Sequence, residues 1–225
     1  MIVGNGLIGK AFEMYRNNEN VLIFCSGVSN SREVDTSQFE REIKLIEEYI
    51  TSNKRFIYFS TVSLVDGSDA SPYTQHKSRI EKFITENHKN YIIFRLPIIV
   101  GYNANKVTFF NSITNKIKNN EIIDVYNVSR YLIDIDHLSS TLPTIIDGFE
   151  SCMTINVCFD NFASVSEIVD KMQHFMNGKS NKNFVECSPN HEVDNEYFIN
   201  KVNDIDIDCN KYNDYIIKKY CVSNI

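Results

Sequence analysis

The sequence predicts an α/β protein built on a largely parallel sheet, and three observations carry that expectation. Short apolar runs alternate with amphipathic stretches throughout the chain, the order that βα units produce. The runs are continuously apolar, as in Val21–Cys25 and Phe56–Phe59, which suits strands buried within a sheet. A glycine-rich turn joins the first strand to the first helix.

Element by element, residues 1–4 read as a short strand and 7–17 as a helix. Val21–Cys25 is a strand ending in Ser26-Gly27. Phe39, Ile43, Ile46 and Ile50 recur at helical spacing across 38–51, with Glu and Lys between them. Phe56–Phe59 is a buried strand. Pro72 suits a first helical turn and opens a helix running to about Asn87. Tyr91–Phe94 is another buried strand. Beyond Gly101 the expectation is a helix over 106–118, another over 136–146, a strand at 153–158 and a helix over 165–176. The tail from about 183 reads as one short strand and two short helices. With no repeat or linker, 225 residues suit one compact body. Its division is a core over 1–101 and, over 102–225, remaining core elements with a substrate-binding lobe.

Composition narrows the function classes. Lys and Arg number 23 against 29 Asp and Glu, a net charge of −6, and the basic residues are scattered. Nucleic acid is therefore not expected as a partner. No apolar run approaches the roughly 18 residues of a membrane span, and no basic start precedes a longer apolar stretch. The expectation is a cytoplasmic protein with no membrane partner. Six Cys form no CxxC pair and five His lack ligand spacing, so no metal is expected.

Gly4-Asn5-Gly6-Leu7-Ile8-Gly9 is a G-x-G-x-x-G run between a strand and a helix. The first Gly permits a tight turn, the second lets backbone approach a pyrophosphate, and the third allows close helix–strand packing. Three of the chain's eight Gly lie in these first nine residues. The pattern points to a dinucleotide, NAD or NADP. The acidic residue that usually follows some 20 positions later to bind the adenosine ribose is missing, and Cys25 and Ser26 stand there.

Tyr73 and Lys77 open the 72–87 helix one turn apart, on one face. A cation held against a phenol favours the phenolate, and such a Tyr can donate a proton to a carbonyl oxygen or take it back. Spacing alone does not single them out, because Tyr102/Lys106, Tyr197/Lys201 and Tyr215/Lys219 share it. Order does: glycine loop, then the hydroxyl-bearing strand end Ser60-Thr61, then Tyr and Lys at a helix start. A hydroxyl at that strand end can hold a substrate oxygen against Tyr73.

On these residues the chain resembles the extended short-chain dehydrogenases, the epimerase/dehydratase group acting on nucleotide sugars. Ser60-Thr61-Val62-Ser63-Leu64-Val65-Asp66-Gly67 is similar to the S-T-D-x-V-F-D-G segment of the dTDP-4-dehydrorhamnose reductases in that group. Phe94-Arg95-Leu96-Pro97, running to Val100-Gly101, resembles the strand end lining the nicotinamide. Arg130-Tyr131-Leu132-Ile133-Asp134-Ile135-Asp136-His137-Leu138 resembles the R-D-F-I-H-V-D-D-L segment. The resemblance implies a Rossmann-like, doubly wound parallel sheet with a small C-terminal α/β substrate lobe. It also implies Tyr73, Lys77 and Thr61 as catalytic residues, with Lys77 on the nicotinamide ribose. Gly4, Asn5, Gly6, Leu7, Ile8, Gly9, Ser26, Gly27, Ser60, Lys77 and Pro97 would bind cofactor, and Ser63, Asn30 and Arg130 the nucleotide-sugar substrate. Val62 replaces an Asp that some members use as an extra acid, which disfavours dehydratase chemistry. Family members often dimerise through helices flanking the Tyr, here 38–51 and 72–87.

The chain also departs from that pattern. Gly9 to Thr61 spans 52 residues, about half the length the resemblance implies, so about two βα units are missing between residues 18 and 21. The sheet is thus expected to be truncated, with the adenosine end of the cofactor bare unless Ser26, Asn30, Arg32 or a partner subunit covers it. Thr61 to Tyr73 is likewise short, 12 residues, trimming the loop over the substrate. The resulting expectation is an NAD(P)-dependent keto-sugar reductase in surface polysaccharide precursor synthesis. A nucleotide-sugar epimerase, or a non-catalytic nucleotide-binding member of the fold, is the alternative.

Overall fold

The computed structural model describes residues 1–68, 70–102, 104, 108–202 and 207–222. In chain order the first half runs β1 (Ile2–Val3), α1 (Leu7–Ala11), β2 (Val21–Phe24), α2 (Thr36–Tyr49), β3 (Arg55–Thr61), α3 (Pro72–Asn87), β4 (Tyr91–Leu96) and β5 (Ile98–Val100). The second half runs α4 (Phe109–Lys118), β6 (Ile123–Tyr126), β7 (Ser129–Arg130), β8 (Leu132–Asp134), α5 (Ile135–Ile146), β9 (Met153–Asn156), β10 (Ala163–Ser164), α6 (Val165–Phe175), β11 (Lys182–Val185), α7 (Glu196–Lys201) and α8 (Cys209–Val222).

The elements expected from periodicity are present, with shifted ends. The helix expected over 7–17 stops at Ala11 and continues as a 3₁₀ turn over Glu13–Tyr15. Helix α2 starts early because Asp35 caps it, accepting from the Ser37 N–H. Helix α3 has the expected bounds: Ser71 and Thr74 form a reciprocal capping box ahead of Pro72. The start expected at 106 falls outside the described residues, and α4 is described from Phe109. Helix α8, with 14 residues, is longer than the short helix expected in the tail.

Among the described residues, five parallel strands form the main sheet in the order β1-β2-β3-β4-β9. Alternate side chains of each strand enter separate cores. Ile23, Ile57, Phe59, Ile92 and Phe94 join Phe12 and Tyr15 after α1, Leu138 and Leu142 of α5, and the apolar faces of α6 and α8. Leu22, Phe24, Phe56, Tyr58 and Ile93 meet Ile46 and Ile50 at the end of α2 and Ile80 and Ile84 of α3. This is a Rossmann-like α/β sheet covered on both faces, which explains why its strands lack polar alternation.

The truncation is visible in the winding. The strand order advances in one direction from β1, and no described strand lies beyond it. The chain passes α1 on one face between β1 and β2, then α2 on the other face between β2 and β3. Two successive connections stepping the same way on opposite faces have opposite hands, so one of them breaks the right-handed rule. Removal of two βα units between α1 and β2 leaves such a pair.

The remaining short pairings lie in the C-terminal half: β5 with β8 and β6 with β11, both parallel, and β7 with β10, antiparallel. These strands have two to four residues each; apart from β11, the short strand expected in the tail, they are too short for periodicity to reveal. They set Arg130 beside the ends of the main strands.

Candidate active site

One cavity of about 660 Å³ lies at the carboxyl ends of β1 to β4, where open α/β sheets bind ligands. Its wall includes Gly4 to Ile8, Cys25 to Ser29, Ser60 to Ser63, Tyr73, Lys77, Pro97 and Arg130. The structure thus brings together nearly every site residue expected from sequence. Two are outside the wall. Gly9 is buried beneath the loop, where a Cβ would meet the Gly4 carbonyl oxygen at 2.8 Å, so its role is packing. Asn30 does not line the cavity; its Oδ1 accepts from the Arg32 N–H at 3.1 Å, and Ser31 lines the wall instead.

The glycine loop has the expected physics. Gly4 sits at φ +111°, and a Cβ there would lie 2.8 Å from the Cys25 carbonyl carbon. Around the Cβ position of Gly6 nothing lies within 4 Å, leaving room for a ligand's approach. On the adenosine side, Arg32 does not face the cavity loop: its guanidinium stacks 5.8 Å from the Tyr126 ring centre. Arg41 of α2 lines the cavity instead and donates to the Ser26 Oγ and carbonyl at 3.2 and 3.0 Å.

Tyr73 is buried against Val28 and Phe39 and lines the same cavity as Thr61. Thr61 ends β3 and accepts from the Ser63 N–H, which turns the chain into the following 3₁₀ helix. The neighbouring Ser60 Oγ is buried without a hydrogen-bond partner. An orphaned hydroxyl in a ligand-sized cavity suits a polar ligand.

Lys77 departs from expectation. Its ammonium sits 5.9 Å from the Tyr73 ring centre, but its hydrogen bonds go to Glu42 Oε1 at 3.0 Å and the Tyr58 hydroxyl at 2.8 Å. Glu42 is fully buried and takes four donors. Tyr58 OH reaches Oε1 at 2.6 Å, while the Val28 N–H and His76 Nε2 reach Oε2 at 2.7 and 3.0 Å. Burial opposes its ionisation, but Lys77 and these donors overcome that and hold the carboxyl well below the usual range. The Tyr73 phenol is accordingly not acidified. Burial and the Glu42 charge push it well above its ordinary value, with the nearby Thr61 hydroxyl opposing them.

Sequence reasoning missed Glu42, Tyr58 and His76. Glu42 carried a signal: it lies three residues after Phe39 and four before Ile46, on the apolar stripe of its helix.

Arg130, at the far wall, donates to the Ser129 carbonyl at 2.9 Å and lies 3.9 Å from the buried Asp66. Asn190 braces this corner through both Ser129 backbone groups and Asp66. Arg95 does not reach the cavity wall; it forms a two-pronged pair with Glu81, tying β4 to α3. Two other Tyr/Lys pairs are structural. Tyr197 and Lys201 both bond Glu150, and Lys219 bonds Asp134 and Asp136. Of Tyr102/Lys106, Lys106 lies outside the described residues.

Comparison with solved structures identifies the class of fold. It is that of the nucleotide-sugar epimerases and dehydratases of the extended short-chain dehydrogenase type. The Bordetella bronchiseptica enzyme WbmH in complex with NAD+ matches with a TM-score of 0.72 at 13% identity, over 98% of this chain and 81% of that one. The dTDP-glucose 4,6-dehydratase of Bacillus anthracis with NAD matches at 0.69 and 12%, over 97% and 78%. The UDP-N-acetylglucosamine 4-epimerase of Methanobrevibacter ruminantium with UDP-N-acetylmuramic acid matches at 0.69 and 14%, over 100% and 84%. At such identities the likeness is one of fold. No protein-family model matches the sequence, and no curated protein matches it. No helix among the described residues is long and apolar enough to cross a membrane.

Proposed function

We propose that the chain binds NAD or NADP in this cavity and reduces a keto group on a nucleotide-linked sugar, supplying precursors of surface polysaccharide. One observation carries the reading: Thr61, Tyr73 and the glycine loop share one cavity, the Thr61 strand end and the loop lying two strands apart. The fold's relatives crystallised with NAD, NADPH and UDP-sugars support the same ligand classes.

In this reading the backbone of Gly4 to Ile8 accommodates the pyrophosphate, and Ser60 and Pro97 face the nicotinamide. When bound, that cofactor supplies hydride to the sugar's carbonyl carbon. Thr61 and Tyr73 grip the carbonyl oxygen, and Tyr73 gives it a proton as negative charge develops. An ammonium has three N–H donors, and Lys77 has one left beyond Glu42 and Tyr58 for a ribose hydroxyl. Arg130 offers its charge to the nucleotide phosphates, with Ser63 near the sugar.

A cofactor with little cover beyond β1 suits exchange after each turnover, which favours reduction over epimerisation. The test is NADPH or NADH oxidation with a panel of nucleotide-linked 4-keto sugars. Wild type should turn over at least one, with Tyr73→Phe slower by 100-fold or more, the order of a lost general acid. No turnover above that of Tyr73→Phe with any of them would refute the reading.

A further inference from the structure

One cation on the cavity wall has no part in the reaction described above. We propose that Arg41 of α2 binds the diphosphate of the dinucleotide opposite the glycine loop and supplies its counter-charge. The proposal rests on the cofactor reading of the cavity and deepens it, by naming a ligand that neither chain order nor the reaction assigns.

Position comes first. Arg41 lines the cavity, and its Nη1 and Nη2 donate to the Ser26 Oγ and carbonyl at 3.2 and 3.0 Å. Ser26 in turn abuts the glycine loop: a Cβ on Gly4 would lie 3.0 Å from the Ser26 nitrogen. A single residue therefore links guanidinium and loop, and both border the same space. A guanidinium has five N–H donors in a planar fork that matches phosphate oxygens. Arg41 spends two of them on Ser26, both on neutral acceptors, and keeps the others for a ligand.

Charge points the same way. Among the described residues, the cations Arg41, Lys77 and Arg130 line the cavity against one carboxylate, Asp66. Lys77 is paired with Glu42 and Arg130 faces Asp66, whereas Arg41 has no carboxylate partner among them. Three and four positions away on its helix stand Ser37, Gln38, Lys44 and Leu45, so its own face brings no acid. Glu33 and Asp35, in the loop ahead of α2, spend their carboxylates on backbone N–H groups. The glycine loop needs such a free charge. Helix α1 behind it has only five residues, and its Gly6 cap brings no side-chain bond. A macrodipole sums over aligned peptides, so a helix this short offers a diphosphate little compensation.

The test is calorimetry of NADPH, NADH and inorganic pyrophosphate at about 0.1 M and about 1 M NaCl, between which the screening length falls from about 10 Å to about 3 Å. For pyrophosphate every protein also carries Arg130→Gln, which removes the second arginine of the wall. Arg41 is exposed on its helix and Gln is a comparable helix former, so Arg41→Gln should keep the fold. It should weaken all three ligands by about tenfold or more at the lower salt, the scale of a charge-assisted hydrogen bond, and by about threefold or less at the higher. Arg41→Lys, which keeps the charge, should bind at least about threefold more tightly than Arg41→Gln at the lower salt. A loss equal at both salt concentrations would assign Arg41 to holding the Ser26 loop, and no loss would deny it a ligand; either overturns the proposal. Pyrophosphate binding that depends on Arg41, in a protein that binds neither dinucleotide, would sink the cofactor reading and leave this site standing. Dinucleotide binding indifferent to Arg41 does the reverse, and no binding of any of the three overturns both.

Discussion

At the scale of single residues, the site divides into what chain order reveals and what only packing reveals. Thr61, Tyr73 and Lys77 were legible because a glycine loop, a hydroxyl strand end and a helix start follow one another. Four Tyr/Lys pairs share one spacing, and two of the others spend their Lys on carboxylates that do not line the cavity. Glu42, Tyr58 and His76 were not legible as a group, because they meet only when α2 and α3 lie on the Tyr58 side of β3. Backbone conformation makes its own prediction here. Gly4→Ala places a side chain at φ +111° and 2.8 Å from the Cys25 backbone, which must move. Its unfolding free energy by urea titration should fall by about 2 kcal/mol or more. Gly6→Ala, with φ −69° and open space, should stay within about 1 kcal/mol of wild type.

At the scale of elements, long periodic segments were readable and short ones were not. Helix α3 was placed to the residue because Pro72 marks its start, whereas α1 gave way to a 3₁₀ turn that apolar spacing cannot distinguish. The C-terminal helix depends on a contact that spacing gave no means of foreseeing. Asp134, fully buried at the end of β8, accepts from Lys219 Nζ at 2.6 Å and the Tyr220 hydroxyl at 2.7 Å, fastening α8. Burial resists its ionisation, yet Lys219, Tyr220 and the Asp136 N–H hold its pKa below the ordinary value. A lowered carboxylate pKa adds stability above the unfolded value, near 3.9, that is lost as pH falls through the folded value. Asp134→Asn should therefore cost about 1–2 kcal/mol at pH 7, since it weakens the buried charge-assisted bonds while Lys219 keeps Asp136. The gap to wild type should narrow below about pH 4, as read from urea midpoints across pH.

At the scale of the whole molecule, the fold class and its truncation were both legible. The first came from alternating runs, and the second from the short interval between glycine loop and Thr61. What sequence could not give was the consequence for winding: β1 at the sheet edge and successive connections of opposite hand. With no described strand beyond that edge, the proposed adenosine half of a dinucleotide would have little wall; Ser26, Ser29, Ser31 and Arg41 are among the polar groups lining the cavity after β2. Binding is expected to be micromolar or weaker. The central claim, that the cavity holds NAD or NADP by its pyrophosphate, is tested most directly by calorimetric titration of NADPH and NADH into wild type and Gly6→Asp. That substitution enters open space, so the fold should survive while a carboxylate meets the phosphates. The account predicts measurable binding to wild type, weakened at least about 30-fold in the variant, or about 2 kcal/mol. No binding of either dinucleotide at millimolar concentration, or equal binding to both proteins, would contradict it.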